Sequence, residues 1–227
     1  MKILAIETTG QAGSVALLEG ATLARETMLP AAERSAKTLA PAIREILDAA
    51  GWRSTDIRLI AVATGPGSFT GLRVGVTTAK TFAYAMRGEV IGVNTLEVIA
   101  AQTPDDIERV SAVVDAQRQQ VFVREFVRDS MGEFQPIGDA AILDNDTWLA
   151  SINPATSVSG PGLEKLAAQI PAGVTIVPRE LWSPRAATVG QLGWRRYQSG
   201  ARDDLWRIVP QYFRPSAAEE KWAERHP

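Results

Sequence analysis

Gly65-Pro66-Gly67-Ser68-Phe69-Thr70-Gly71 separates two segments with different hydrophobic periods. Before it, Ile57 to Thr64 is an apolar run, the pattern of a central strand buried on both faces. After it, Thr70 to Met86 predicts a helix in which Gly71, Gly75, Ala79 and Ala83 recur every fourth residue. Strand, glycine loop and helix together point to an α/β unit. Glycines placed after a strand let backbone N–H groups converge on an anion at the helix N-terminus. No Gly-Lys-Ser/Thr closes this loop, so it is not a P-loop. The plainer alternative is a tight strand–helix turn with Ser68 or Thr70 as N-cap. A glycine inside a helix costs about 1 kcal/mol against alanine, so the small-residue stripe points to close approach by another helix. That helix belongs either to this chain or to another protein.

Upstream, Lys2 to Glu7 and Ser14 to Leu18 predict two strands joined by the turn Thr8-Thr9-Gly10-Gln11-Ala12-Gly13, and Ala21 to Met28 a third. Leu39, Ile43, Ile46, Leu47 and Ala50 then define a helix face, stopped by Gly51. Pro41 inside that pattern requires the helix to start near Thr38 or to kink. Downstream, Glu89 to Val93 predicts a strand and Thr95 to Ala101 a helix, so the order through residue 102 is βββαβαβα. Val110 to Val114 and Gln120 to Val127 follow as strands around the turn Asp115-Ala116-Gln117-Arg118. Asn153 to Pro184, dense in Pro and Gly, is expected to be loops between small elements, and Ala187 to Tyr197 a helix. Gln102-Thr103-Pro104-Asp105 is the cleanest boundary. No internal repeat is visible.

Composition narrows the chemistry. The 227 residues include 24 Lys+Arg against 26 Asp+Glu, a net charge of −2, which argues against nucleic-acid binding by bulk electrostatics. There is no cysteine, and the one histidine, His226, is penultimate. Disulfides, thiolate metal sites, Ser-His-Asp triads and multi-histidine metal centres are therefore disfavoured. What remains for chemistry is carboxylates and hydroxyls, chiefly Glu7, Thr8 and Thr9 in the first hairpin and Asp115 in the later one. Each also has a plain reading as a turn residue. Glu219-Glu220-Lys221-Trp222-Ala223-Glu224-Arg225 reads as a solvated helix or tail. Glu7 breaks the apolar start before a signal peptide could form, and no apolar run approaches the ~20 residues of a membrane span, so the expected location is cytoplasmic.

Taken together, Lys2-Ile3-Leu4-Ala5-Ile6-Glu7-Thr8-Thr9, Gly13-Ser14-Val15-Ala16-Leu17, the glycine loop continued through Leu72-Arg73-Val74-Gly75, and Ile91-Gly92-Val93-Asn94-Thr95-Leu96-Glu97 resemble the TsaB (YeaZ) family. Val113-Val114-Asp115-Ala116-Gln117-Arg118 and Pro210-Gln211-Tyr212-Phe213-Arg214-Pro215 extend the likeness over nearly the whole chain. The resemblance implies an α/β fold of the actin/hexokinase/Hsp70 (ASKHA, ribonuclease H-like) kind with two subdomains, the second reduced. These would span 1–102 and 103–186, with a C-terminal helix at about 187–213 packing back on the first and a tail at 214–227. It further implies a role in forming N6-threonylcarbamoyladenosine at position 37 of tRNAs that read ANN codons.

In that family the catalytic partner is a paralogue, TsaD, which holds a metal through two histidines four residues apart. Thr95 and Ile99 occupy those positions here, so the resemblance implies a non-catalytic subunit that holds no metal. It implies no cofactor in the isolated chain, with ATP or ADP and Mg entering only in the complex. Docking on TsaD through the first two helices, Glu33 to Ala50 and Phe69 to Met86, would use Leu39, Ile43, Gly71, Val74, Gly75, Thr78, Ala79 and Phe82. A TsaE-type ATPase would join the assembly, tRNA would be reached through it, and the chain alone could form a homodimer. Departures from the family pattern are Glu7 for an aspartate, Gln117, Gln120 and Phe122 for Arg, Glu and Tyr, and Ser35 for a histidine. Two rivals stand beside this reading. One is a free-standing ATPase or small-molecule kinase of the same superfold, with Glu7, Thr8, Thr9 and Asp115 around Mg-ATP. The other is a homodimeric regulator that meets no paralogue.

Overall fold

The computed structural model describes residues 1–31, 35–213 and 222. Strands β1 (Lys2–Glu7), β2 (Ser14–Glu19) and β3 (Thr22–Met28) form the expected antiparallel meander. Helix α1 (Ser35–Ala50) leads to β4 (Ile57–Gly65), α2 (Phe69–Met86), β5 (Glu89–Asn94) and α3 (Thr95–Ala101). The sheet order is β3-β2-β1-β4-β5, with β4 and β5 parallel to β1. Alternation along the strands explains the layers. Leu4, Ile6, Ile60 and Val62 face α1 and α2. Ile3, Ala5, Leu59 and Ala61 face a helix from far along the chain, α6 (Ala186–Gln198). Both faces are thus covered, as the apolar run of β4 requires.

A second sheet is built from β6 (Arg109–Gln117), β7 (Gln120–Arg128), β8 (Phe134–Asp144) and β9 (Ser157–Ser159), in the order β8-β7-β6-β9. β6, β7 and β8 are antiparallel neighbours, and β9 runs parallel to β6. This repeats the β3-β2-β1-β4 pattern of the first sheet, a repeat of topology that leaves no trace in residue identities. Helix α3 packs on one face of the second sheet. α4 (Asn145–Ser151) and α5 (Leu163–Leu166) cover the other. The mixed order with helices on both faces is the ribonuclease H-like α/β arrangement, here with a smaller second half.

The sequence reading is corrected at α1 and at the C-terminal helix, and it did not delineate β8. α1 starts before Thr38 and accommodates Pro41, which lies on its exposed side, where water can satisfy the carbonyl left free one turn earlier. Glu33 and Arg34, expected to open this helix, lie outside the described residues. β8 contains Pro136 and Gly138, both apparent breakers, and tolerates them because it is an edge strand. The C-terminal helix ends at Gln198, not near 213. Gly200 (φ +92°) turns the chain, and residues 201–213 continue as an irregular strap over the first sheet.

Candidate functional site

The first hairpin and the glycine loop meet in one buried cluster. Thr8 Oγ1 donates to the Gly71 carbonyl at 2.8 Å, and the Ser68 N–H donates to the Thr9 carbonyl at 2.8 Å. A Cβ on Gly67 would lie 2.5 Å from Thr9 Cβ, and one on Gly71 would lie 1.9 Å from the Thr8 carbonyl oxygen. These glycines make room for the neighbouring hairpin. Of the two readings of the loop, the N-cap is the one formed: Ser68 Oγ accepts from the Gly71 N–H at 3.2 Å. The Ser68 and Gly71 amides that an anion would need are thereby occupied. Gly65 and Pro66 are buried at the end of β4, Phe69 is half-buried and Thr70 is exposed.

Glu7 is fully buried at the end of β1. Its Oε1 accepts from both the backbone N–H and the hydroxyl of Thr9. Burial pushes its carboxyl up to about 7, against the lowering effect of the Thr9 hydrogen bonds and with a small further push from Glu26. Its Oε2 has no partner. Asp115 sits in the β6–β7 hairpin, where its Oδ1 accepts from the Gln117 N–H at 2.8 Å and its Oδ2 pairs with Lys165. Among the described residues no group of three His, Cys, Asp or Glu could hold a metal ion. The hydroxyls of Thr8 and Thr9 and one Glu7 oxygen are committed internally, so this set does not fit a Mg-nucleotide. Thr95 and Ile99 are buried with α3 and offer neither imidazole nor carboxylate.

The residues of the two helix faces divide between core and surface. Leu39 and Ile43 are buried in the core beneath α1, and Gly71, Gly75 and Ala79 face the chain's own sheet. A Cβ on Gly75 would lie 2.3 Å from Thr8 Oγ1, so the stripe exists for helix-on-sheet contact. A four-residue spacing shows that a face is small and says nothing of what lies against it. Val74, Thr78 and Phe82 are half-buried on the flank of α2 beside α1, and they alone of the eight residues reach the surface.

The opposite flank of α2 is occupied by the strap, whose role sequence reading missed. Tyr212 packs on Phe69 at 5.0 Å and accepts from Arg73 Nε at 2.9 Å. Lys80 donates to the carbonyls of Trp206 and Ile208, and Trp206 meets Tyr84 edge-on at 5.7 Å. Gln211 donates its N–H to the Thr64 carbonyl at 2.7 Å and accepts from Asn94 Nδ2 at 3.0 Å, closing the carboxyl ends of β4 and β5. The Pro210-to-Pro215 motif was the available signal, but it carried no periodicity. His226 and the tail residues 214–221 and 223–227 lie outside the described residues; Trp222 is exposed. No described helix is long and apolar enough to cross a membrane.

A family model described as "TsaD: tRNA N6-adenosine threonylcarbamoyltransferase" matches residues 29–182. The chain is 29% identical over 231 residues to the tRNA threonylcarbamoyladenosine biosynthesis protein TsaB of Bacillus subtilis (strain 168), covering 99% of each chain. It is 38% identical over 134 residues to the protein of that name from Escherichia coli (strain K12), covering 58% of each. The solved structure of YeaZ from Pseudomonas aeruginosa superposes with a TM-score of 0.82 at 26% identity, over 93% of this chain and 99% of that one.

Proposed function

We propose, for a chain that belongs to the TsaB (YeaZ) branch of the TsaD family, the role of a supporting subunit in forming N6-threonylcarbamoyladenosine at position 37 of tRNA. It acts in the cytoplasm, binds a TsaD-type catalytic paralogue and, with it, a TsaE-type ATPase. It reaches tRNA through that assembly and performs no chemistry of its own. The observation that carries this reading is the internal commitment of the cluster. Glu7 Oε1 accepts from Thr9 within the hairpin, Thr8 bonds the hairpin to α2, and Asp115 is paired with Lys165. The open flank of α1 and α2, with Val74, Thr78 and Phe82, is the docking face. Binding there raises the paralogue's activity by favouring its active state, since a partner shifts only an equilibrium between states it binds unequally.

The test is a drop-out reconstitution with threonylcarbamoyl-AMP, tRNA, ATP, the TsaD-type paralogue and the TsaE-type ATPase, with and without this chain. Modified nucleoside formed only when the chain is present supports the role. Equal product without it overturns the role. ATP turnover by the isolated chain, lost in Asp115→Ala, would favour the kinase or ATPase rival instead.

A further inference from the structure

Helix α4 covers only part of its face of the second sheet. Beyond it lies a cavity of about 170 Å³ between β7, β8 and the loop after α4, away from the cluster and from the α1/α2 flank. Its deep end is polar. Thr156 is 1% exposed, lines the cavity, and its hydroxyl has no hydrogen-bond partner. Beside it the buried Ser111 hydroxyl accepts only a long 3.4 Å bond from the Trp148 indole N–H. Trp148 and Val123 supply apolar wall between.

The outer end is acidic. Asp139 is exposed and Glu125 half-buried, and neither carboxylate forms an ion pair or a side-chain hydrogen bond among the described residues. Arg124 lines the cavity as well and keeps its positive charge, but its Nε and Nη2 both donate to the Gly138 carbonyl, at 3.0 and 2.8 Å, and it pairs with neither carboxylate, so the two carboxylates outweigh it by one charge. A buried hydroxyl left without a partner loses its hydration without compensation, so a site that keeps one gains when a ligand supplies the bond. The volume is below the roughly 300 Å³ at which drug-sized pockets begin, which restricts the occupant to a small molecule.

We propose that this cavity binds a short primary amine: the ammonium lies between Glu125 and Asp139, the carbon chain runs along Trp148, and a terminal hydrogen-bonding group reaches Thr156. The occupant is a free amine, because a partner's lysine would enter with its ammonium at the deep end and its backbone at the acidic mouth. The experiment titrates the full chain with 5-amino-1-pentanol and follows the Trp148 indole N–H resonance, identified by its loss in Trp148→Phe. The expected result is a saturable shift that 1,5-pentanediol and 5-hydroxypentanoate do not produce. Glu125→Gln combined with Asp139→Asn, both away from the core, should weaken binding at least tenfold while the far-UV circular dichroism is unchanged. Thr156→Val should remove the preference for 5-amino-1-pentanol over pentylamine. Nα-acetyl-lysine methylamide, whose backbone would have to occupy the buried end, should not compete; competition by it would overturn the proposed orientation. Equal shifts from the diol, or affinity unchanged in the double carboxamide variant, overturn the proposal.

Discussion

Thr8 and Gly71 are joined directly. The Thr8 hydroxyl donates to the Gly71 carbonyl at 2.8 Å, and the Thr8 carbonyl lies where a Gly71 side chain would begin. One turn on, Gly75 leaves room for the same hydroxyl. Helix α2 is thereby seated on the end of β1, and the geometry of the hairpin and that of the helix depend on each other.

Substitution in this stripe should therefore damage the monomer. Gly75→Ala gains about 1 kcal/mol of helix propensity, but its Cβ would overlap Thr8 Oγ1, and overpacking costs about 1–3 kcal/mol. A net loss of stability is expected, seen as a lower thermal midpoint by circular dichroism. Gly75→Leu should unfold the chain. A Gly75→Leu protein with unchanged melting would show that the helix does not sit on the hairpin in this way.

Glu7 makes stability fall with rising pH. Its carboxyl is raised from 4.5 to about 7 in the folded protein, so the folded state holds the proton more tightly than the unfolded one. The contribution is complete below about 4.5 and is lost as pH rises through about 7. A shift of this size corresponds to a change on the order of 3 kcal/mol. Glu7→Gln can still accept from Thr9 and carries no titrating proton, so its stability relative to wild type should increase between pH 5 and pH 8. Urea melts at the two pH values measure this, and parallel pH profiles for the two proteins would refute it.

The α1/α2 flank can be tested without touching the core. Thr78→Arg with Ala85→Arg places two cations on the side of α2 that the strap leaves uncovered. Surface changes of this kind alter stability by about 0.5 kcal/mol or less. Co-elution with the TsaD-type paralogue should be lost, with the thermal midpoint within a few degrees of wild type. Retained co-elution would move the docking face elsewhere.

Arg128 ties the second sheet to the connection that precedes it. Its guanidinium donates to the carbonyls of Ile107, Thr103 and Pro104 at 2.9 Å and of Gly132 at 2.6 Å, with its side chain 11% exposed. Arg128→Met leaves those carbonyls without their donor and should cost about 2–4 kcal/mol in urea melts. Arg128→Lys should recover little, because an ammonium cannot reproduce the planar fork.

Much of the first half was legible. The bounds of α3 agree with its apolar spacing to the residue, and the meander, β4 and α2 follow their patterns closely. The second half was less so, because its signals are weak or misleading. β8 carries a proline and a glycine that only an edge position excuses. The strap has no regular structure and is held by single bonds such as Gln211 to Thr64. At the candidate site, Glu7, Thr8, Thr9 and Ser68 were all singled out, yet nothing local to any of them showed that they bond to one another instead of facing a ligand.

The sequence by itself determined the order of strands and helices in the first half and the small face of α2, since period and turn chemistry are local properties written in neighbouring residues. It also determined the absence of thiols and of an internal imidazole. Only the tertiary structure decided that the small face lies against β1 and not a partner helix, that α6 covers the far side of the first sheet, and that Gln211 closes its carboxyl end. Those contacts join residues far apart in the chain, and they exist because both faces of the buried sheet and the polar ends of its strands must be covered once the chain is compact.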